Sequence, residues 1–313
     1  MEVARELGAP LAVIVNASAG TADAEKIPVK LRELFGEENG GARIIAAGSG
    51  DEVVARAKEE IARGARTVVA AGGDGTVSAV AALLVGTDRV LGVLPLGTLN
   101  HFARDLGLPA DLEGASRVVL AGVPTPVDVG EVNGKIFLNN SSIGLYASMV
   151  RHREKQQERL GRSKWAALLW ATLRVLMRTP PITVRIHAEG RARIARTRLL
   201  FIGNNEYEMT GFQVGVRKRL DGGALWLYLT RKPGSWALIR LALRALFGTI
   251  HDADDFEPFR VTEARIETRR PRLHVATDGE VGWFDSPLHY RVRPGALQVM
   301  LPRGGGSERE STP

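Results

Sequence analysis

Through the first 125 residues, short apolar runs rich in Val, Ile and Ala alternate with longer stretches whose apolar positions recur every three or four residues. The runs Leu11–Asn16, Ala42–Ala46, Thr67–Ala71 and Val90–Leu94 predict strands. The periodic stretches predict helices near Ala22–Phe35, Asp51–Arg63, Thr76–Val85, Leu99–Leu106 and Leu112–Ala121. Continuously apolar strands alternating with amphipathic helices suit a parallel sheet covered on both faces, so residues 1–126 are expected to form a doubly wound parallel α/β domain. After Pro124-Thr125-Pro126 the pattern changes to strands separated by turns: Val127–Val132, Lys135–Ser141, Ile182–Ala188, Arg193–Ile202, Ala224–Thr230, Arg260–Thr268, Leu273–Thr277, Leu288–Arg293 and, beyond a Pro294-Gly295 turn, Ala296–Leu301. That succession predicts an antiparallel β-sandwich domain over 127–302, with a disordered tail at 303–313. Two helices, Ser163–Arg178 and Ser235–Phe247, interrupt it. Each pairs a broad apolar face with Trp and with Lys or Arg, which fits packing on a sheet and equally fits a helix lying at a membrane interface.

The turns carry the chemistry. Ala70-Ala71-Gly72-Gly73-Asp74-Gly75-Thr76 joins a predicted strand to a predicted helix. Glycines there let the backbone approach an anion closely, and the helix N-terminus beyond supplies N–H groups and a positive dipole end. Asp74 would repel a bare phosphate in that setting; a divalent cation between them reconciles the two, so the expected ligand is a magnesium nucleotide. No Gly-Lys-Ser/Thr follows, which excludes a Walker loop, and Ser78 stands where a dinucleotide fingerprint needs its third glycine. A second unit of the same kind, Leu91-Gly92-Val93-Leu94-Pro95-Leu96-Gly97-Thr98-Leu99-Asn100, places another Gly-Thr turn at the carboxyl edge of the same sheet, where open α/β sheets bind ligands.

Composition narrows the picture further. Hydrophobic residues make up 44% and charged residues 25%, ordinary for a folded protein and against wholesale disorder. Cysteine is absent, which excludes disulfides, thiolate metal sites and cysteine nucleophiles and is compatible with a reducing cytosol. The N-terminus lacks an apolar core of signal-peptide length, and no apolar run is long enough to span a membrane, so a soluble cytoplasmic protein is expected. The formal charge of +7 is concentrated: residues 151–200 hold thirteen Lys/Arg against three Glu. A solvated basic face accounts for this, as does attraction to an anionic bilayer; with no accompanying recognition motif, nucleic acid is not expected.

With these residues in hand, a resemblance emerges. Gly-Gly-Asp-Gly-Thr at 72–76 and the segment 95–109, Pro-Leu-Gly-Thr-Leu-Asn-His-Phe-Ala-Arg-Asp-Leu-Gly-Leu-Pro, resemble the two signatures of the diacylglycerol kinase catalytic-domain family, which includes soluble bacterial lipid kinases and sphingosine kinases. Asn16-Ala17-Ser18-Ala19-Gly20 resembles the family's first motif, with Ala17 in place of its usual proline, and Thr277-Asp278-Gly279-Glu280 resembles its Asp-Gly-Glu motif. The four lie in family order across residues 10–302. The resemblance implies a nucleotide fold like that of NAD kinase and phosphofructokinase. It also implies an ATP- and Mg²⁺-dependent transfer of the γ-phosphate to the hydroxyl of diacylglycerol or a related lipid alcohol, at the anionic inner face of the membrane.

The residue roles follow from the same resemblance. Asn16, Gly20, Gly72, Gly73, Asp74, Gly75, Thr76, Thr98 and Asn100 would hold the nucleotide; Asp74 would hold the catalytic Mg²⁺ in a network with Thr98 and Asp128. Asp278 would be the general base toward the lipid hydroxyl, with Glu280 as the competitor for that role or a nucleotide contact. Asp221, with the carbonyls of Lys218 and Gly223, would form a structural Mg²⁺ site, although an Asp-Gly hairpin turn explains the same residues. Ala46 stands where many members have a nucleotide-contacting threonine, and His101 where Asp is common. Two rivals stay open: a kinase of a soluble acceptor such as NAD, and a nucleotide- or membrane-binding module without catalysis. Neither the lipid nor the oligomeric state is legible; a homodimer is compatible.

Overall fold

The computed structural model describes residues 11–18, 26–36, 41–144, 180–208, 216–217, 219–230 and 256–303. The predicted helices Ser163–Arg178 and Ser235–Phe247, like Gly20 and Lys218, lie outside them. The chain divides into two compact units: Met1–Val129 with Arg219–Asp221 and Pro294–Pro313, and Gly130–Lys218 with Gly222–Arg293.

The first unit is a parallel sheet with helices. Its elements in chain order are β1 (Leu11–Asn16), α1 (Ile27–Leu34), β2 (Arg43–Ala47), α2 (Gly50–Ala62), β3 (Thr67–Gly72), α3 (Asp74–Leu84), β4 (Val90–Pro95), α4 (His101–Asp105), α5 (Leu112–Ala121) and β5 (Val123–Val132), the last continuing into the second unit. β1 pairs in parallel with both β2 and β3, and β3 with β4. Every residue of β3 and β4 is buried, as the unbroken apolar runs require of strands covered on two sides. Alternation sorts the side chains between two layers. Val13, Val15, Val69, Ala71 and Leu94 pack with Leu31 of α1, with Phe35 at its C-terminal end and with Ala115 and Val119 of α5. Ala12, Ile14, Val68 and Ala70 are buried too, and α2 and α3 bury Val53, Ala57, Val77, Val80, Ala81 and Leu84. The doubly wound expectation holds.

The second unit is all β. Added to β5, its elements are β6 (Lys135–Phe137), β7 (Asn140–Gly144), β8 (Ile182–Ala188), β9 (Arg191–Thr197), β10 (Leu199–Asn204), β11 (Tyr207–Glu208), β12 (Val216–Arg217), β13 (Leu225–Thr230), β14 (Phe256–Val261), β15 (Glu263–Thr268), β16 (Arg272–Thr277), β17 (Glu280–Asp285) and β18 (Leu288–Leu301). One sheet runs β14-β13-β10-β7-β16-β17, antiparallel at each pairing. The other joins β9, β8, β15 and the first half of β18, also antiparallel. One apolar cluster takes Leu200, Ile202, Leu225, Leu227 and Val275 from the first sheet and Val184, Ile186, Ile266, Leu288 and Tyr290 from the second. That interdigitation is the sandwich core.

Several predicted boundaries are corrected. Lys135–Ser141 is two strands, because the Leu138 and Asn139 amides leave the ladder to bind the Asp278 carboxylate. Arg193–Ile202 is also two, β9 in one sheet and β10 in the other, and Arg260–Thr268 breaks at Thr262, whose N–H and hydroxyl go to Glu189. The Pro294-Gly295 turn is instead the interior of β18: Gly295 takes φ 57°, its N–H donates to Asp128 Oδ1 at 2.9 Å, and Gln298 and Val299 pair in parallel with β4 in the first unit. β17 was not expected at all; it closes on β16 through Asp278-Gly279, both at positive φ (48° and 87°), the signature of a two-residue hairpin turn. Arg303, placed in the tail by sequence, donates from Nε to the Ala121 carbonyl at 3.0 Å.

Candidate functional site

In the first unit three turns at the carboxyl edge of neighbouring strands are bonded to one another. Gly72 lies opposite Pro95 in the β3–β4 register, and the Leu96 N–H donates to the Gly72 carbonyl at 3.0 Å, so both turns leave the sheet side by side. They touch glycine to glycine: a Cβ on Gly97 would lie 2.6 Å from the Gly73 Cα and 2.8 Å from Asn100 Oδ1. Asn100, itself left-handed at φ 48°, clamps the second turn by accepting from the Gly97 N–H (3.0 Å) and donating to the Gly97 carbonyl (2.7 Å). Asn16, ending β1, donates from Nδ2 to Thr76 Oγ1 at 2.9 Å, tying the first turn to the start of α3. Asp74 opens α3, and its Oδ1 accepts the Phe102 N–H of α4 at 3.3 Å.

The helix N-termini are of two kinds: α2 and α5 carry a side-chain cap, whereas α1, α3 and α4 do not. Ser49 caps α2 by accepting from the Glu52 N–H, and Glu52 reaches back to the Gly48 N–H; Asp111 caps α5 through the Gly114 N–H. The α3 N-cap is Gly73, extended and without a side-chain cap. Its first N–H groups therefore have no side-chain acceptor at the N-cap, and a helix N-terminus of that kind is chemically suited to an anion. Gly72 is needed for a separate reason: a Cβ there would come within 2.5 Å of Thr76 Oγ1.

The remaining predicted residues fall as follows. Gly75 and Thr98 are exposed, and Thr76 is buried. Asp128 is buried on β5, its N–H donating to the Leu220 carbonyl at 2.8 Å and its Oδ1 accepting from Gly295. Asp221 is exposed and paired with Arg219 Nε at 2.9 Å; that hydrogen bond and charge hold its carboxyl below the usual range. Gly223 takes φ 64°. Among the described residues no three His, Asp or Glu side chains converge as a metal cage. Mg²⁺ keeps several waters and is commonly held by one or two carboxylates together with phosphate oxygens, so a single carboxylate such as Asp74 fits this ion.

In the second unit Asp278 sits at the tip of the β16–β17 hairpin, and its carboxylate is caught in three successive backbone amides. Oδ2 accepts from Leu138 N at 2.7 Å, and Oδ1 from Asn139 N at 2.8 Å and Asn140 N at 3.2 Å; the Asp278 N–H returns a bond to the Asn140 carbonyl. Such a nest of amides favours the ionised carboxylate. Glu280, next along, is exposed with Lys135 Nζ at 3.5 Å. Sequence reasoning missed what lies behind the nest. Arg217, 1% exposed, donates to the Leu138 carbonyl (2.7 Å), the Asn204 carbonyl (3.1 Å) and Asn139 Oδ1 (2.8 Å), with the Tyr207 ring 5.7 Å from its Cζ. Asn204 Nδ2 also donates to the Leu138 carbonyl, at 2.8 Å. Arg217 lies in a local run of basic residues, Arg217-Lys218-Arg219, where nothing in the sequence separates the buried Arg217 from the exposed Arg219.

A parallel α/β unit with interlocked glycine turns at its carboxyl edge, combined with an antiparallel sandwich, defines the class as an α/β protein with a β-sandwich partner domain. Residues 10–132 match the diacylglycerol kinase catalytic domain, and residues 141–301 match the YegS C-terminal NAD kinase beta sandwich-like domain. A "Probable lipid kinase YegS-like" of Pseudomonas aeruginosa is 33% identical over 81% of this chain and 82% of its own. A "Diacylglycerol kinase" of Bacillus subtilis is 29% identical over 72% and 75%. The crystal structure of a diacylglycerol kinase from Bacillus anthracis shares the fold with a TM-score of 0.68, at 21% identity, covering 93% of this chain and 96% of that one. The chain belongs to the diacylglycerol kinase family of lipid kinases.

Proposed function

We propose that the protein is an ATP- and Mg²⁺-dependent lipid kinase that phosphorylates the hydroxyl of diacylglycerol or a related lipid alcohol at an anionic membrane surface. The observation that carries this reading is the uncapped N-terminus of α3, with Asp74 as its first residue, locked to the Gly97 turn. Backbone N–H groups from Gly73 to Thr76 hold the triphosphate, with Asn16, Gly20, Thr98 and Asn100 shaping the surround. Asp74, with Asp128 and Thr98 through water, is the place for Mg²⁺, which when bound neutralises charge developing on the phosphoryl oxygens. The lipid oxygen forms its bond to the γ-phosphorus as the bond to the bridging oxygen breaks, and ADP leaves with the electron pair. The hydroxyl proton goes to Asp278. A carboxylate already bonded to three amides is a weak base. It suffices here, because a loose transition state makes the hydroxyl acidic only late in the transfer.

Glu280, exposed beside Lys135, is better suited to a nucleotide contact than to the base. A structural Mg²⁺ at Asp221, Lys218 and Gly223 would share the carboxylate with Arg219, whose Nε is on Oδ1, which makes it the secondary part of the proposal. The test is labelled ATP with mixed micelles of diacylglycerol, phosphatidylglycerol, ceramide or a sphingoid base, with NAD as the soluble comparison. Magnesium-dependent labelling of a lipid is expected. Labelling of NAD alone, or of nothing, would overturn the reading.

A further inference from the structure

We infer that Arg217 is a positioning residue for Asp278, acting through a single peptide group. The carbonyl of Leu138 and the N–H of Asn139 belong to the same amide plane. Arg217 Nη1 donates to that carbonyl at 2.7 Å, and that N–H donates to Asp278 Oδ1 at 2.8 Å. A guanidinium, a peptide and a carboxylate therefore stand in one hydrogen-bonded line. This inference rests on the role proposed for Asp278.

The arrangement is specific in three respects. First, burying a guanidinium is costly, and an apolar side chain would fill the same volume without that penalty. At 1% exposure the charge must be answered by its hydrogen bonds, and those to the Leu138 carbonyl and Asn139 Oδ1 go to two of the three residues whose amides hold Asp278. Second, the Leu138 carbonyl receives two donors, Arg217 Nη1 and Asn204 Nδ2, which fills both of its lone pairs. The Asn204 N–H also bonds the Asn139 carbonyl, so the peptides on both sides of Asn139 are fixed. Third, hydrogen bonds in a chain polarise one another, by about 10–30% per bond. Donation to the carbonyl draws electron density out of the amide and makes its N–H a stronger donor to the carboxylate. The anchoring matters because Asp278 is held at φ 48°, a backbone region that non-glycine residues occupy uncommonly. Without a stiff nest the hairpin tip could relax and carry the carboxylate away.

The experiment compares Arg217→Gln, which keeps an N–H donor but no charge, with Arg217→Lys, which keeps the charge in a simpler donor. Melting curves establish that each variant is folded at the assay temperature. The first readout needs no substrate: the Asn139 amide proton and the Asp278 carboxyl carbon, followed by NMR in selectively labelled protein. The second is the split between kcat and the KM for ATP. In Arg217→Gln the Asn139 amide proton should move upfield, and kcat should fall about 10- to 100-fold with KM for ATP within about two-fold. Arg217→Lys should lie between Gln and wild type in both. Gln and Lys variants that cannot be told apart, or a fall in kcat with the Asn139 amide unmoved, would overturn the inference. Should Arg217→Gln not fold, scalar couplings across the hydrogen bonds decide it in the wild-type protein. Coupling from Arg217 Nη to the Leu138 carbonyl carbon and from Asn139 N to the Asp278 carboxyl carbon is expected, and the absence of either refutes the relay. A protein that phosphorylates no lipid yet shows the amide shift and the couplings would sink the proposed function and leave the relay standing.

Discussion

The contact between Gly73 and Gly97 separates two properties that a phosphate-binding turn usually confounds. Adding a methyl group at Gly97 puts a Cβ 2.6 Å from the Gly73 Cα and 2.8 Å from Asn100 Oδ1, where ordinary contact begins near 3.4 Å. The obstacle is backbone, so the two turns must part by about 0.8 Å or the Asn100 clamp must open. Overpacking of this kind costs about 2 kcal/mol, or roughly 3 °C in melting temperature for a chain of this size. The reverse substitution is different: a Cβ on Gly73 lies 3.5 Å from the Gly97 Cα, ordinary contact, and Gly73 has an extended backbone that any residue can adopt. Gly73→Ala should therefore melt like the wild type while losing nucleotide affinity, because its methyl group stands at the helix N-terminus where the phosphates approach. Gly97→Ala should lose both. Scanning calorimetry with and without Mg-ATP, together with titration by a fluorescent ATP analogue, reads the two quantities separately. A Gly97→Ala protein that melts within a degree of wild type, or a Gly73→Ala protein destabilised as much as Gly97→Ala, would refute the reasoning.

Asp278→Asn places an NH₂ or leaves a weakened acceptor against three amide donors, so it should cost about 1–3 kcal/mol of stability as well as at least 10²-fold in turnover, with ATP binding nearly unchanged; wild-type turnover removes this residue from the mechanism. Asp74→Asn retains an acceptor for the Phe102 N–H and should fold normally, yet magnesium should no longer improve nucleotide binding in calorimetric titrations; undiminished magnesium dependence would move the metal elsewhere. Burial raises the Tyr290 phenol far above its ordinary value, with Ser141 Oγ as its partner at 2.9 Å. The unfolded chain ionises this group near pH 10 and the folded one does not, so its contribution is complete below about pH 10 and is lost as pH rises further, by up to about 1.4 kcal/mol per pH unit. Tyr290→Phe should flatten the fall in urea midpoint between pH 9 and 11 relative to wild type, and parallel curves would show that the phenol is not buried in the native state.

Much of the first unit was legible along the chain, because a strand covered on both faces must be apolar at every position and Thr67–Gly72 and Val90–Pro95 are. The second unit was harder. Antiparallel strands of a sandwich follow one another with short breaks, and the pattern of alternation continues across a break whether the chain stays in one sheet or changes sheets, as at Arg198 and Thr262. The motif residues were legible as types, Gly for close approach and Asp for charge. Their roles as partners were not: that Gly72 makes room for Thr76, or that Asn16 reaches Thr76, depends on residues 4 and 60 positions apart meeting at one edge.

By itself, then, the order of residues determined the alternation of strands and helices in the first unit, the change to β structure in the later part of the chain and the chemical types offered at each turn, since these are local consequences of side-chain period and backbone freedom. Only the tertiary structure decided which turns abut, that a strand near the C-terminus returns to pair with β4, and that a buried cation at Arg217 backs the amides holding Asp278. Those facts depend on hydrogen bonds and contacts between residues far apart in the chain, which are paired by packing and leave no local trace.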